Sequence, residues 1–308
     1  MLSKGNAKKL ILIFALFGVI VVFATSFFWA ISDSGDGRRF ERTNVSNALM
    51  PPTWLSDTAN ESDGDTMALF GTDQLGRDLL ARCIVGGAIS ICVGLFAAFI
   101  AVFIGTAWGT IAGMQGGKID AAMMRGVDIL YGLPSIMLVV LITVAVNSFV
   151  QGNPSLSSAL QEFVNVVALL SAIGIVSWLT VSRVIRGQVR SLMQRPAMDA
   201  CKLIGVGPLR TCTHHLIPAL LGTIVVYATL TVPMAILSEA FLSFLGIGIR
   251  EPLPSWGNLA ADGLGQLNPV HSRWWLLFWP CICIAVTLVA MNWFGQSLRK
   301  RVDPRSQG

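Results

Sequence analysis

The sequence predicts an all-α integral membrane protein with six transmembrane helices and helices exposed on the cytoplasmic side. Three observations predict it: too much apolar residue for the available charge, long runs without charge, and lysine and arginine gathered at alternate ends of those runs. Of 308 residues, 54% are hydrophobic and 13% charged, about half the roughly 25% charge of a soluble domain. Such a composition excludes a disordered chain, which needs the reverse balance. A bilayer core about 30 Å thick takes roughly 20 apolar residues in a helix. Charge-free runs of that length place spans near 10–31, 87–112, 129–148, 163–182, 218–239 and 274–296. Solid apolar runs exclude a barrel, whose strands alternate.

The first run follows Lys4, Lys8 and Lys9. From Leu10 to Ile31 it exceeds a signal peptide's 7–15-residue apolar region, so it reads as an uncleaved anchor. Along the second span Gly86, Gly87, Gly94, Gly105, Gly109 and Gly113 favour close helix packing.

Basic residues decide the orientation, because short Lys/Arg-rich segments stay in the cytoplasm. With the amino terminus inside, 15 of the 22 basic residues fall inside and 7 outside; 12 acidic residues fall outside and 4 inside, with Glu239 at a boundary. Both termini are therefore expected in the cytoplasm. The organisation follows as a 1–9 cytoplasmic segment, a first span over 10–31, an external loop over 32–82, a five-helix core over 83–298 and a 299–308 cytoplasmic tail. The pI of about 9.1 then reflects membrane orientation rather than nucleic-acid binding. Cys92, Cys281 and Cys283 fall within spans, Cys201 and Cys212 face the reducing cytoplasm, and no spacing suggests a metal site. His214 and His215 are adjacent and diverge on a helix, so they make no metal pair.

The external loop ends in Gly71-Thr72-Asp73-Gln74-Leu75-Gly76-Arg77-Asp78. Asp73 is expected to cap a short interfacial helix with Leu75, Leu79 and Leu80 on its apolar face. Docking of an external partner at Gly71, Thr72, Asp73, Gly76, Arg77 and Asp78 is the competing reading. The Gly113–Ile119 stretch imitates a phosphate-binding loop, but Ala112 stands where the first glycine must be and Ile119 where a hydroxyl must be. Gly116-Gly117 reads as a turn between helices.

The loop over 183–218 carries six Lys/Arg residues. Pro196 suits a helix's first turn, Ala197, Ala200, Cys201 and Ile204 share one face, Gly205 stops the helix and Pro208 begins another. Pattern alone leaves a lipid-held connector and a protein-docking knob equally open; it also allows a DNA-binding helix-turn-helix, which tethering between two spans makes improbable. Glu239, in the fifth span, is a candidate pathway or gate residue, since acids in membranes are expensive and often functional. It is expected near the external boundary, within reach of solvent.

The run Asp199-Ala200-Cys201-x3-Gly205-x9-His215-Leu216-Ile217-Pro218 resembles the EAA loop of bacterial ABC-importer permeases, roughly E-A-A-x3-G-x9-I-x-L-P. It departs in Asp199 for Glu, Cys201 for Ala, His215 for Ile and Ile217 for Leu. Gly71–Asp78, Gly116–Asp120, Phe241–Gly246, Glu251–Gly257, Asp303-Pro304 and Ser177-Trp178-Leu179 with Arg183-x2-Arg186-Gly187-Gln188 are similar to the peptide/nickel branch. They look most like the C-type membrane subunit of oligopeptide permeases, over about 68–305. The resemblance implies a type I importer fold in the bacterial inner membrane and no enzymatic activity in this chain. It implies a sister permease, two ATPase subunits holding ATP and Mg, and an extracytoplasmic peptide-binding protein. The ATPase-coupling residues would be Asp199, Ala200, Cys201, Gly205, Gly207 and Pro218. A dipeptide or nickel permease is the alternative within the class. A secondary transporter is the alternative outside it, though neither paired midplane charges nor broken helices are evident in the sequence.

Overall fold

The computed structural model describes residues 28, 38–55, 68–152, 157–268 and 272–302. The expected first span over 10–31 therefore lies outside the described residues, apart from Phe28, as do the 1–9 segment and the end of the tail. Among the described residues the chain is helical: α1 (Leu79–Gln115), α2 (Gly117–Tyr131), α3 (Ser135–Gln151), α4 (Ser158–Met193), α5 (Pro196–Leu203), α6 (Pro208–Thr211), α7 (Ile217–Phe244), α8 (Trp256–Gly265) and α9 (Trp275–Val302). Four stretches are long and apolar enough to cross a membrane, starting at Leu79, Phe163, Pro208 and Trp275. A fifth exists if α2 and α3 count as one span bent by 85°.

The bend corrects the expected straight span over 129–148. At Gly132-Leu133-Pro134, α2 ends with the Gly132 N–H donating to Asp128 O at 3.0 Å, and Pro134 denies Leu133 the helical region. The expected span over 163–182 is corrected in length, since α4 runs on to Met193. The lead-in helix expected at 73–82 is also absent. Helix α1 begins only at Leu79, where Leu80 N donates to Asp78 Oδ1 at 2.9 Å, so Asp78 is the cap and not Asp73.

The chain divides into two compact units. One comprises the residues up to Ser90 with Ile249–Cys283. Its core joins Leu79 and Cys83 to Leu259, Trp275 and Leu276. Helix α8 starts on a capping box between Ser255 and Asn258. The Trp256 indole N–H donates to Cys83 O at 2.8 Å, and a Cβ on Gly87 would meet that indole ring. Trp54, Trp274, Trp275 and Phe278 form a chain of edge-on rings, and Phe70 stacks on Trp279.

The second unit comprises Ile91–Gly248 with the residues from Ile284 onward. Here α1 lies against α4. A Cβ on Gly105 would stand 3.0 Å from Trp178 O, one on Gly109 3.0 Å from Arg186 N, and one on Gly113 3.1 Å from Arg186 O. Gly174 returns the contact against Ala97 O at 3.0 Å. The contacts ascend together, so the two helices run parallel and touch through their backbones.

Candidate coupling knob and charge clusters

The knob is built from the end of α4, through α5 and α6, to the start of α7. Val181, Ile185, Val189 and Leu192 recur every three or four residues on α4, forming one buried stripe. Met198 of α5 plugs into that stripe beside Leu216 and Leu220. This single anchor seats α5, while Asp199 and Ala200 remain exposed. Helix α5 closes with Gly205 at φ +76, where the Val206 N–H reaches Cys201 O at 3.0 Å, a left-handed stop that glycine takes without strain. Pro208 opens α6 with Gly207 before it. A π-helical turn, Cys212–Leu216, then joins α6 to α7, which has Pro218 in its first turn.

The helix, glycine turn, helix expected from Pro196, Gly205 and Pro208 is therefore present. Sequence reasoning missed the tip. Leu203, Ile204 and Leu209 are 88%, 78% and 81% exposed. Three bare aliphatic side chains beside a glycine turn make an apolar contact surface held on a buried pin.

Three ion pairs brace the same unit. Arg186 on α4 forks onto Asp120 of α2 through Nε and Nη2, the latter at 2.6 Å from Oδ2, with Arg190 at 3.6 Å. Arg183 donates to Asp128 Oδ1 at 2.6 Å and lies 3.9 Å over the Tyr131 ring. These arginines were counted with the loop; they are helical and tie α2 to α4.

Residues 71–78 form a different kind of site. Asp73 accepts from Leu75 N and Arg77 N, both at 2.9 Å, which fixes a tight turn. Gly76, at φ +72, fits only because it lacks a Cβ, which would collide with the Asn44 carbonyl. Gly71, at φ +83, faces Met50 O in the same way. Thr72 receives Met50 N and donates to Asn47 O.

Inside the turn lies a four-membered charge cluster. Arg77 Nε and Arg82 Nη1 donate to Asp73 Oδ2 at 2.6 and 2.7 Å. Arg77 Nη2 and Arg82 Nη2 donate to Glu251 Oε1 at 2.6 and 2.9 Å. The Arg82 side chain is 1% exposed and that of Asp73 9%. Burial works against the Glu251 charge, but the hydrogen bonds from Arg77 and Arg82 prevail and hold its carboxyl below the ordinary range. Burial also opposes the Arg77 charge, and its bonds to Glu251 and Asp73 overcome that. Asp78, outside the cluster, is pushed up by burial against the N–H bonds of Leu80 and Ala81.

Of the expected docking residues, Thr72, Asp73 and Arg77 are thus turned inward as structural members. Glu251 was missed as a site residue because it lies 174 positions from Arg77; its place in the Glu251–Gly257 segment was the signal available. Glu239 corrects a further expectation. It is 0% exposed and accepts from Ser243 Oγ at 2.7 Å, so solvent does not reach it.

Residues 105–308 match the family model described as "Binding-protein-dependent transport system inner membrane component". The chain is 42% identical over 238 residues to the oligopeptide transport system permease protein OppC of Escherichia coli, covering 77% of this chain and 72% of that protein. It is 39% identical over 236 residues to the dipeptide transport system permease protein DppC of Bacillus subtilis, covering 77% and 68%. A structure of the MetNI methionine ABC transporter in an inward-facing conformation shares the fold, with a TM-score of 0.54, 16% identity, and coverage of 71% of this chain and 94% of that one.

Proposed function

This chain belongs to the family of binding-protein-dependent transport system inner membrane components, and we propose that it carries oligopeptides through the bacterial inner membrane. It is a permease subunit of an ABC importer, a multi-pass membrane component and not itself an enzyme, and it works with ATPase subunits and a substrate-binding protein. Oligopeptide as cargo is supported by relatives of that name at 41% and 42% identity. A dipeptide is the second reading, favoured by the DppC relative at 39%.

The observation that carries the mechanism is the knob, with Leu203, Ile204 and Leu209 bare on a unit pinned by Met198. In this proposal the tip sits in a groove of one ATPase subunit, with Asp199, Ala200, Cys201 and Gly205 around it. A sister permease supplies the other wall of the path and the other knob, and ATP and Mg reside on the two ATPases. Positive charge near the knob and at both termini holds them in the cytoplasm. Closure of the ATPase pair would push on the knob. Since α4 enters the knob and α7 leaves it, the push would tilt those spans between inward-open and outward-open states. The cluster under residues 71–82 braces the external side, and Glu239 is not assigned to the path.

The test is reconstitution with both ATPases, the sister permease and the binding protein. Gly205→Val should preserve assembly and ATP hydrolysis while peptide uptake falls about tenfold or more, since φ +76 excludes a β-branched residue. Unchanged uptake would make the knob a mere connector. Peptide uptake by the chain alone on an ion gradient would overturn the importer reading.

A further inference from the structure

Cys83 and Cys283 are far apart in sequence, yet both side chains belong to one core, Cys83 within it and Cys283 packed against it, where the thiols are neighbours. Cys83 sits in the second turn of α1, in the core of its unit, and is 3% exposed. Cys283 sits in the third turn of α9, packs against that core and is half-buried. At about 1.5 Å per residue they lie roughly 6 and 12 Å along their helices from the first residue. The Trp256 indole bound to Cys83 O holds the turn that carries the inner thiol. Trp54, Trp274, Trp275 and Trp279 crowd the same unit, the residue type that collects where a membrane meets water.

We propose that Cys83 and Cys283 form a redox-active dithiol that closes to a disulfide between the second turn of α1 and the third turn of α9, on the extracytoplasmic side. The side rests on the orientation in the proposed function; the pairing does not. The oxidant is a disulfide-bearing small molecule or protein, a class available outside the cytoplasm. Cys283, the more accessible thiol, attacks one sulfur of that disulfide as its thiolate, releases the first thiol and becomes a mixed disulfide. Cys83 then attacks the Cys283 sulfur and releases the second thiol. Two protein thiols are oxidised, one external disulfide is reduced to two thiols, and the protein protons end on the released thiolates. Closure brings the two sulfurs to about 2.05 Å. Of the six cysteines, Cys83 and Cys283 are the two that share this core.

The experiment uses the whole importer in membranes. Diamide treatment, alkylation of remaining thiols and peptide mapping without reductant should yield one Cys83–Cys283 linked pair, lighter by about 2 Da for the two lost hydrogens. Reductant should reverse it, and Cys83→Ser and Cys283→Ser should each abolish it. Full alkylation of both cysteines after diamide, or a link to a different cysteine, overturns the proposal. A second arm adds glutathione disulfide to spheroplasts or to inverted vesicles. Faster closure in spheroplasts is expected. Faster closure in inverted vesicles overturns the extracytoplasmic assignment and the orientation with it. Peptide uptake measured on the same membranes tests the permease reading separately.

Discussion

Beneath residues 71–82 charge is buried, whereas at the α5–α6 knob leucine and isoleucine are bare; each region inverts the usual partition of a water-facing surface. The difference lies in pairing. Arg77, Arg82, Asp73 and Glu251 pair with one another within their unit, although Arg82 Nε has no acceptor, and a buried charge persists only when paired. Leu203, Ile204 and Leu209 have no such closure in their own unit. A paired cluster is a brace, and the bare apolar tip is the surface that the proposed ATPase contact would cover.

The comparison breaks hardest at Arg82. Arg82→Met should leave Asp73 and Glu251 short of a partner and cost about 3–5 kcal/mol, read as earlier thermal unfolding in detergent. Next is the pin. Met198→Ala removes a buried side chain and should cost about 2 kcal/mol or more, read as faster protease cleavage between α4 and α6 with the cluster unaffected. At the tip, Leu203→Asp should leave unfolding unchanged and weaken capture of the ATPase subunits about tenfold, roughly 1.4 kcal/mol. An effect on unfolding there would mean the tip is core and not interface.

The smallest effect is in pH. Glu251 is held below its unfolded value of 4.5. Its contribution to stability is therefore complete above that value and is lost as pH falls through the lower folded value. Asp78, pushed up, works the other way: its charge is a burden above the raised value and is relieved on acidification. Glu251→Gln should make acid unfolding shallower than in the parent chain, checked by pH-dependent melting.

Much of this was legible in the sequence, for local reasons. Pro196, Gly205 and Pro208 punctuate the knob through backbone rules that act within a few residues, and the α1 glycines announced close packing. What could not be read was non-local. Arg183 and Arg186 looked like loop charge because their partners, Asp128 and Asp120, stand 55 and 66 positions away. Asp73 looked like a helix cap because its arginine partners require a folded turn. Glu239 was placed by counting along a helix, which gives depth but not whether neighbours cover it.

The glycine contact between α1 and α4 has a mechanical consequence. With backbones touching at Gly105, Gly109 and Gly113, the two helices share a surface without long side chains to shear. Helix α4 has 36 residues and no proline, a strut of about 54 Å, and the knob is fixed to its end. A tilt of about 10° would carry the far end of such a strut some 9 Å, nearly the width of a helix. In the proposed coupling, stiffness along that strut, rather than motion at the tip, would set how far the span moves for each cycle of the ATPase.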